Sequence, residues 1–282
     1  MDPSIELPQL NIPALLRQYG LSPKKSLGQN FLVDAYALNA IVVSAELPAQ
    51  AVVLEVGPGL GSLTRLLAVH AQRVVAVELD QNYIPALEEV LTPFGNTHVV
   101  HGDILDLNPA ELMGESGYYV VANIPYYITS ALIRHLLEAS IQPTRLVLTL
   151  QREVAERICA QPDEMSLLAL SVQVYGQARV VGLIPAEAFY PPPKVDSAVV
   201  RVDLYPEPVI PTVQLDAFFR LAKAGFSQKR KTLRNSLAGG MRWNGEQAAR
   251  ILNRAGINPQ RRAETLSLPE WHQLVESAAQ ES

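Results

Sequence analysis

The chain has 282 residues, 48% of them hydrophobic, and a formal net charge of −5 at pH 7. That length supports one large or two ordinary domains with a sizeable core, and no stretch reaches the ~18 uninterrupted apolar residues of a membrane-crossing helix. The only cysteine, Cys159, leaves no partner for an internal disulfide and rules out a thiolate metal cluster; no metal is expected, and a cytoplasmic-type compartment is the default.

In chain order, the lead Met1-Asp-Pro-Ser-Ile-Glu6 is acidic and broken by proline, unlike a signal or transit peptide. A short helix is expected over 14–19. Gly28-Gln-Asn-Phe-Leu32 then leads into a helix over 34–46. The organising stretch is Val52-Val-Leu-Glu-Val-Gly-Pro-Gly-Leu-Gly61, an apolar β-branched run that breaks into glycines and opens a helix over 62–70. That pattern is the first strand-to-helix turn of a doubly wound sheet. Its glycines permit positive φ and close approach of a ligand, and helix-start N–H groups add donors. The dinucleotide fingerprint wants a sixth-position glycine, but Ser62 stands there, which weakens a nicotinamide reading. A second strand ends in Glu78, twenty-one residues after Gly57, where an acid accepts from ribose hydroxyls. Turn and acid together point to a nucleoside-type cofactor.

Further strands are expected over 97–101, 118–122 and 144–150, with helices over 81–91, 108–112, 129–139 and 152–160. Two last strands are expected over 167–175 and 195–204. The proline-rich connection at 184–194 is too short for a crossover helix, so this pair should be antiparallel. The fold expected is α/β and Rossmann-like: a seven-stranded, mostly parallel sheet with a last antiparallel strand. Tyr205-Pro-Glu-Pro-Val-Ile-Pro211 is a stiff linker. It divides a domain over 1–205 from a small all-α domain over 206–282, with helices at 213–224, 229–238, 245–255 and 269–279.

Ligands of such sheets lie at the carboxyl ends of the strands. Glu55, Glu78, Asp103 and Asn123 all fall there. Asp103 suits either an adenine amine or an ordinary turn cap. Asn123-Ile-Pro-Tyr-Tyr127 is more specific. The Asn123 side-chain oxygen and the Ile124 carbonyl can both accept from one exocyclic NH2, Pro125 stiffens that carbonyl, and Tyr126 can stack on a flat base.

Taken together, Gly28-Gln-Asn-Phe-Leu, Glu55-Val-Gly-Pro-Gly-Leu-Gly, Asn123-Ile-Pro-Tyr and Phe189-Tyr-Pro-Pro-Pro-Lys-Val-Asp-Ser197 resemble the motifs of the ribosomal RNA adenine N6-dimethyltransferases. Gln228-Lys-Arg-Lys-Thr-Leu-Arg-Asn235 and Arg262-Ala-Glu-Thr-Leu266 resemble that family's C-terminal signatures. The resemblance is strongest to the branch acting on two adjacent adenosines near the 3′ end of 16S rRNA in the immature small ribosomal subunit. It implies S-adenosylmethionine as donor and in-line attack by adenine N6 on its methyl. It further implies that Asn30 and Leu32 contact the donor, Gly57 lies against its methionine part, Glu78 holds its ribose and Asp103 its adenine amine. Asn123 would stand between donor and target base, Tyr126 would stack on that base, and Phe189 would form a second aromatic wall. One departure is plain: Asp163-Glu-Met-Ser-Leu-Leu stands where the family usually carries a Tyr-Gly pair.

Between Lys223 and Arg262 lie ten Lys or Arg and one acid, Glu246. This basic segment in an acidic chain points to RNA phosphate contact. No long exposed apolar helix stripe stands out, which favours a monomer. Two alternatives remain at this point: another RNA or DNA adenine N6-methyltransferase, such as the erythromycin-resistance type, and a non-catalytic ribosome-assembly or transcription factor on the same fold.

Overall fold

The structure, a computed structural model, describes residues 7–24 and 27–281, without the Tyr126 side chain. The first half contains α1 (Ile12–Gln18), β1 (Phe31–Leu32), α2 (Ala35–Ala45), β2 (Val52–Val56), α3 (Ser62–His70), β3 (Arg73–Glu78), α4 (Ile84–Leu91), β4 (Thr97–His101), α5 (Pro109–Met113), β5 (Tyr119–Asn123) and α6 (Thr129–Leu137). Then come β6 (Arg145–Gln151), α7 (Arg152–Ile158), α8 (Leu167–Gln173), β7 (Gly176–Ile184), β8 (Phe189–Tyr190) and β9 (Ser197–Leu204), followed by α9 (Leu215–Phe226), α10 (Leu233–Met241), α11 (Gly245–Arg254) and α12 (Leu268–Ala279). Side chains cap several of these helices where the sequence offers them. Asn11 accepts from Ala14 N, Asp34 from Ala37 N, and Ser267 forms a reciprocal capping box with Glu270.

The main sheet has seven strands in the order β4-β3-β2-β5-β6-β9-β7. The pairs from β4 through β6 are parallel, and β9 runs antiparallel to β6. Strand order reverses between β3 and β5 on either side of β2, so a crevice opens above β2 at its carboxyl end. The central strands are apolar along most of their length because helices cover both faces. The core gathers Ile41, Val53, Leu67, Leu87, Val121 and Val147, all at most 1% exposed. A second cluster seats Ile12 and Leu16 of α1 with Phe31, Leu60 and Tyr83, which ties the N-terminal lead to the sheet.

Two expectations are corrected. The 167–175 segment is the helix α8, and the strand expected there is β7, a few residues later. Leu167-Leu-Ala-Leu-Ser-Val is an apolar run that suits either state; Ser166 decides it by accepting from Ala169 N at 3.1 Å and starting a helix. The second concerns 229–238, where the helix begins only at Leu233. Lys229, Arg230 and Lys231 therefore lie on the exposed turn before α10, not on a helix face. A two-stranded ribbon was also unforeseen: β1 pairs antiparallel with β8, Phe31 opposite Tyr190 and Leu32 opposite Phe189.

By contacts the chain forms two compact units. One holds the chain to Ala155 and Arg179–Leu204; the other holds Glu156–Ala178 and the chain from Tyr205 onward. Within the second unit, the Asp163 and Met165 N–H groups both donate to the Glu264 carbonyl, at 3.0 and 3.1 Å. This is how the departing loop at 163–168 is held.

Candidate active site

Above the carboxyl ends of β2, β3 and β5 lies an open cleft of about 1030 Å³, solvent at its mouth included. The N-terminal lead, the glycine turn and the ends of β3, β4 and β5 build it. Gly57 takes φ +71, and a Cβ added there would lie 3.6 Å from Pro125 and 4.0 Å from the Asn123 carbonyl. Gly28, at φ +61, backs onto the same Pro125 from the N-terminal segment. At Gly59 a Cβ would lie 2.8 Å from the Phe31 ring, so only glycine fits that turn.

The glycine N–H groups are not free donors. Gly57 N donates to the Val77 carbonyl at 2.9 Å, Gly59 N to Glu78 Oε2 at 3.0 Å and Gly61 N to the Pro58 carbonyl at 2.9 Å. The glycines open space and shape the turn; donors for a ligand must come from elsewhere.

Asn30, Leu32, Gly57, Glu78, Asp103, Asn123, Ile124 and Pro125 all line the cleft. Phe189 does not. It is 3% exposed, packed in the core opposite Leu32 in the β1–β8 ribbon, and supports the wall from behind. The proposed stacking residue Tyr126 lies, by its side chain, outside the described structure.

The polar geometry is specific. Asn123 Nδ2 donates to the Asn30 carbonyl at 3.2 Å. A carbonyl accepts only from the nitrogen end, so this bond fixes the amide's orientation. Oδ1 is then the free end. The Asn30 side chain is itself held, its Nδ2 donating to the Gly28 carbonyl at 3.1 Å. Glu78 accepts from Gly59 N and, at 2.8 Å, from Asp80 N. Burial pushes the Glu78 carboxyl up, against the pull of these backbone bonds. Asp103 Oδ1 accepts from Leu105 N at 2.9 Å, capping the turn, and the residue lines the cleft.

Two lining residues escape a sequence reading of roles. Tyr127 is 56% exposed, and burial of part of its ring together with the Asp103 and Glu78 charges raises its hydroxyl pKa. Glu55 is 1% exposed and its Oε2 has no hydrogen-bond partner. Burial pushes its carboxyl up to about 8, with the Thr64 hydroxyl pulling it down and the Glu78 charge adding to the rise. Its position at a strand end was visible in sequence; its isolation was not.

Three acids, Glu55, Glu78 and Asp103, thus line the cleft, and none of its described lining residues is Lys or Arg. A pyrophosphate-bearing dinucleotide would be repelled here. A nucleoside-type ligand carrying positive charge fits: the orphaned Glu55 oxygen and the space left by Gly57 suit it.

Strand order and this cleft define a Rossmann-like methyltransferase fold. The chain belongs to a more particular group, the ribosomal RNA adenine dimethylase family, whose model matches residues 20–280. A ribosomal RNA small subunit methyltransferase A of Dehalococcoides mccartyi is 45% identical over 282 residues, covering 97% of each chain. One from Bacillus cereus is 41% identical, covering 92% of each. Among solved structures, the 23S rRNA methyltransferase ErmE is 29% identical with a TM-score of 0.73, covering 88% of this chain and 99% of its own. A dimethyladenosine transferase of Plasmodium falciparum, 24% identical with a TM-score of 0.76 over 89% of this chain and 98% of its own, shares the fold.

Proposed function

We propose that this enzyme dimethylates N6 of two adjacent adenosines near the 3′ end of 16S rRNA, with S-adenosylmethionine as donor, on the immature small ribosomal subunit. The observation that carries this reading is the acidic, cation-free cleft with one oriented amide at its edge. When bound, the donor supplies a methyl already activated by a positive sulfur, so the protein's task is to hold and orient. Glu78 would accept from its ribose and Asp103 from its adenine amine, while Leu79 and Ile104 offer apolar walls.

For the target base, Asn123 Oδ1 and the Ile124 carbonyl accept from the N6 amine. Two acceptors favour a pyramidal, more nucleophilic nitrogen and stabilise its developing positive charge. The Tyr126 ring would stack on the purine, a contact worth ~1–3 kcal/mol. Residues 1–205 would be the catalytic part and 206–282 the RNA-binding part, acting as a monomer in the cytoplasm.

Of the cations between Lys223 and Arg262, Arg250 and Arg254 pair with Glu281, Arg261 with Glu270 and Arg262 with Glu264. Lys229, Arg230 and Lys231 are exposed and make no ion pair among the described residues, which leaves them for phosphates. Identity favours the small-subunit target over 23S rRNA, at 41–45% against 29%.

The test is transfer of labelled methyl to small-subunit particles from cells lacking this protein. Dimethyladenosine mapped to two neighbouring positions near the 16S 3′ end is expected. Label appearing only in 23S rRNA, or only as monomethyladenosine, would overturn the assignment.

A further inference from the structure

Glu55 is the one cleft acid that the mechanism above leaves without a task. It sits at the fourth position of β2, opposite Ala76 of β3. It is 1% exposed, and one of its oxygens meets neither a donor nor solvent. The buried Thr64 hydroxyl of α3 is the group that pulls its carboxyl down. The other titratable groups on the cleft are Glu78 of β3, Asp103 after β4 and Tyr127 after β5. Of these only Glu78 bears on Glu55, and it bears as a like charge. Nothing cationic among the described lining residues offsets them.

An uncompensated carboxylate in such a place is costly, and the group escapes the cost by keeping its proton. We infer that Glu55 is the cleft's variable counter-charge: it carries a proton while the cleft lacks a cation and loses that proton to solvent when the donor binds. This rests on the reading of the donor as S-adenosylmethionine, whose sulfonium and ammonium groups are both positive. No covalent bond changes; the O–H proton of the Glu55 carboxyl passes to the buffer, and the carboxylate stays as partner of the bound cation. Methyl transfer turns the sulfonium into a neutral thioether. With one positive charge gone, the carboxylate is again under-compensated and takes a proton back. Glu55 thereby helps the site to prefer a charged donor over a spent one.

A positive charge at close range lowers a carboxyl pKa by about 1–3 units. Between the free and bound values, donor affinity should rise about three- to tenfold per pH unit. The thioether product should show a shallower rise, so donor preference over product should widen as pH rises toward 8.

The experiment is calorimetric titration of the full chain with S-adenosylmethionine and with its thioether product, near pH 7, in buffers of different ionisation enthalpy. The wild-type should release about half to one proton per donor bound, and fewer per product. Glu55→Gln, with its permanently neutral amide, should release none and should bind donor with a flat pH dependence. Buffer-independent heat in the wild-type overturns the inference, as does undiminished proton release in Glu55→Gln, which would move the titration to Glu78. Should Glu55→Gln not fold, the wild-type alone decides by infrared difference spectroscopy. A protonated carboxylic-acid band should vanish on donor addition, and its persistence overturns the inference. Donor binding without proton release leaves the proposed function standing; absence of donor binding overturns both.

Discussion

At Asn123 one amide has its two ends assigned different work. The nitrogen is anchored on the Asn30 carbonyl, and the proposed function gives the oxygen to the target. Asn123→Ala removes an acceptor that matters most in the transition state, comparable to losing one donor of an oxyanion hole at about 10²–10³ in kcat. Donor affinity and melting temperature should stay near wild-type; single-turnover methylation beside donor titration separates the two. Glu55 makes a second prediction at this scale, now for stability. Its folded pKa, about 8, lies above the ordinary glutamate value of 4.5 that the unfolded chain should show. The stabilisation is complete below the unfolded value and is lost as pH rises toward 8. The melting temperature of the protein without donor should therefore fall over that interval, and Glu55→Gln should flatten the fall.

At the scale of elements, the cleft depends on how the N-terminal segment is fastened. Asp80, 5% exposed, accepts from Lys24 Nζ at 2.7 Å, Gln29 Nε2 at 3.3 Å and Asn82 Nδ2 at 2.8 Å. Burial pushes its carboxyl up, but these donors win and hold it below the usual range. Asp80 does not line the cleft, yet Leu27 to Leu32 do. Asp80→Ala should loosen that wall by about 1–2 kcal/mol and weaken donor binding about tenfold, with faster amide exchange around Gln29 to Leu32. An unchanged exchange rate there would show that the β1–β8 ribbon alone holds the segment. These fastenings also mark the limit of what the sequence tells. The βα alternation, the glycine turn and the acids at strand ends were legible because each is a local pattern with a local cause. The ribbon was not, because Phe31 and Tyr190 are far apart in sequence and each β-strand is two residues long. Helix α8 was misread as a strand because a short apolar run carries no decisive period. Phe189 was assigned to a wall by resemblance, and only packing shows that its ring is interior. The isolation of Glu55 is likewise a property of surroundings, invisible until the neighbours are placed.

For the whole molecule, charge poses the central problem. A chain of net charge −5 with three acids in its catalytic cleft must bind a polyanion. Cations in place of these acids would repel the positively charged donor proposed above, so phosphate binding would fall to other residues. Four of the ten Lys and Arg between Lys223 and Arg262 are already engaged: Arg250 and Arg254 share Glu281, at 3.2 and 3.0 Å, Arg262 reaches Glu264 at 3.6 Å and Arg261 pairs with Glu270. Such pairs contribute little net positive field, while Lys229, Arg230 and Lys231 lie on an exposed turn and make no ion pair among the described residues. Replacing all three by alanine should weaken rRNA binding and reduce the slope of log affinity against log salt by about 2. Donor affinity should not change, because none of the three lines the cleft. Replacing Arg250 and Arg254 instead removes cations that already have a partner, so the salt slope should move by less than one unit, with a stability loss of about 1 kcal/mol or less. Equal effects from the two sets, measured by filter binding across a salt series, would mean that RNA reads the overall charge of the segment. A large effect from the first set alone would assign phosphate contact to the turn before α10.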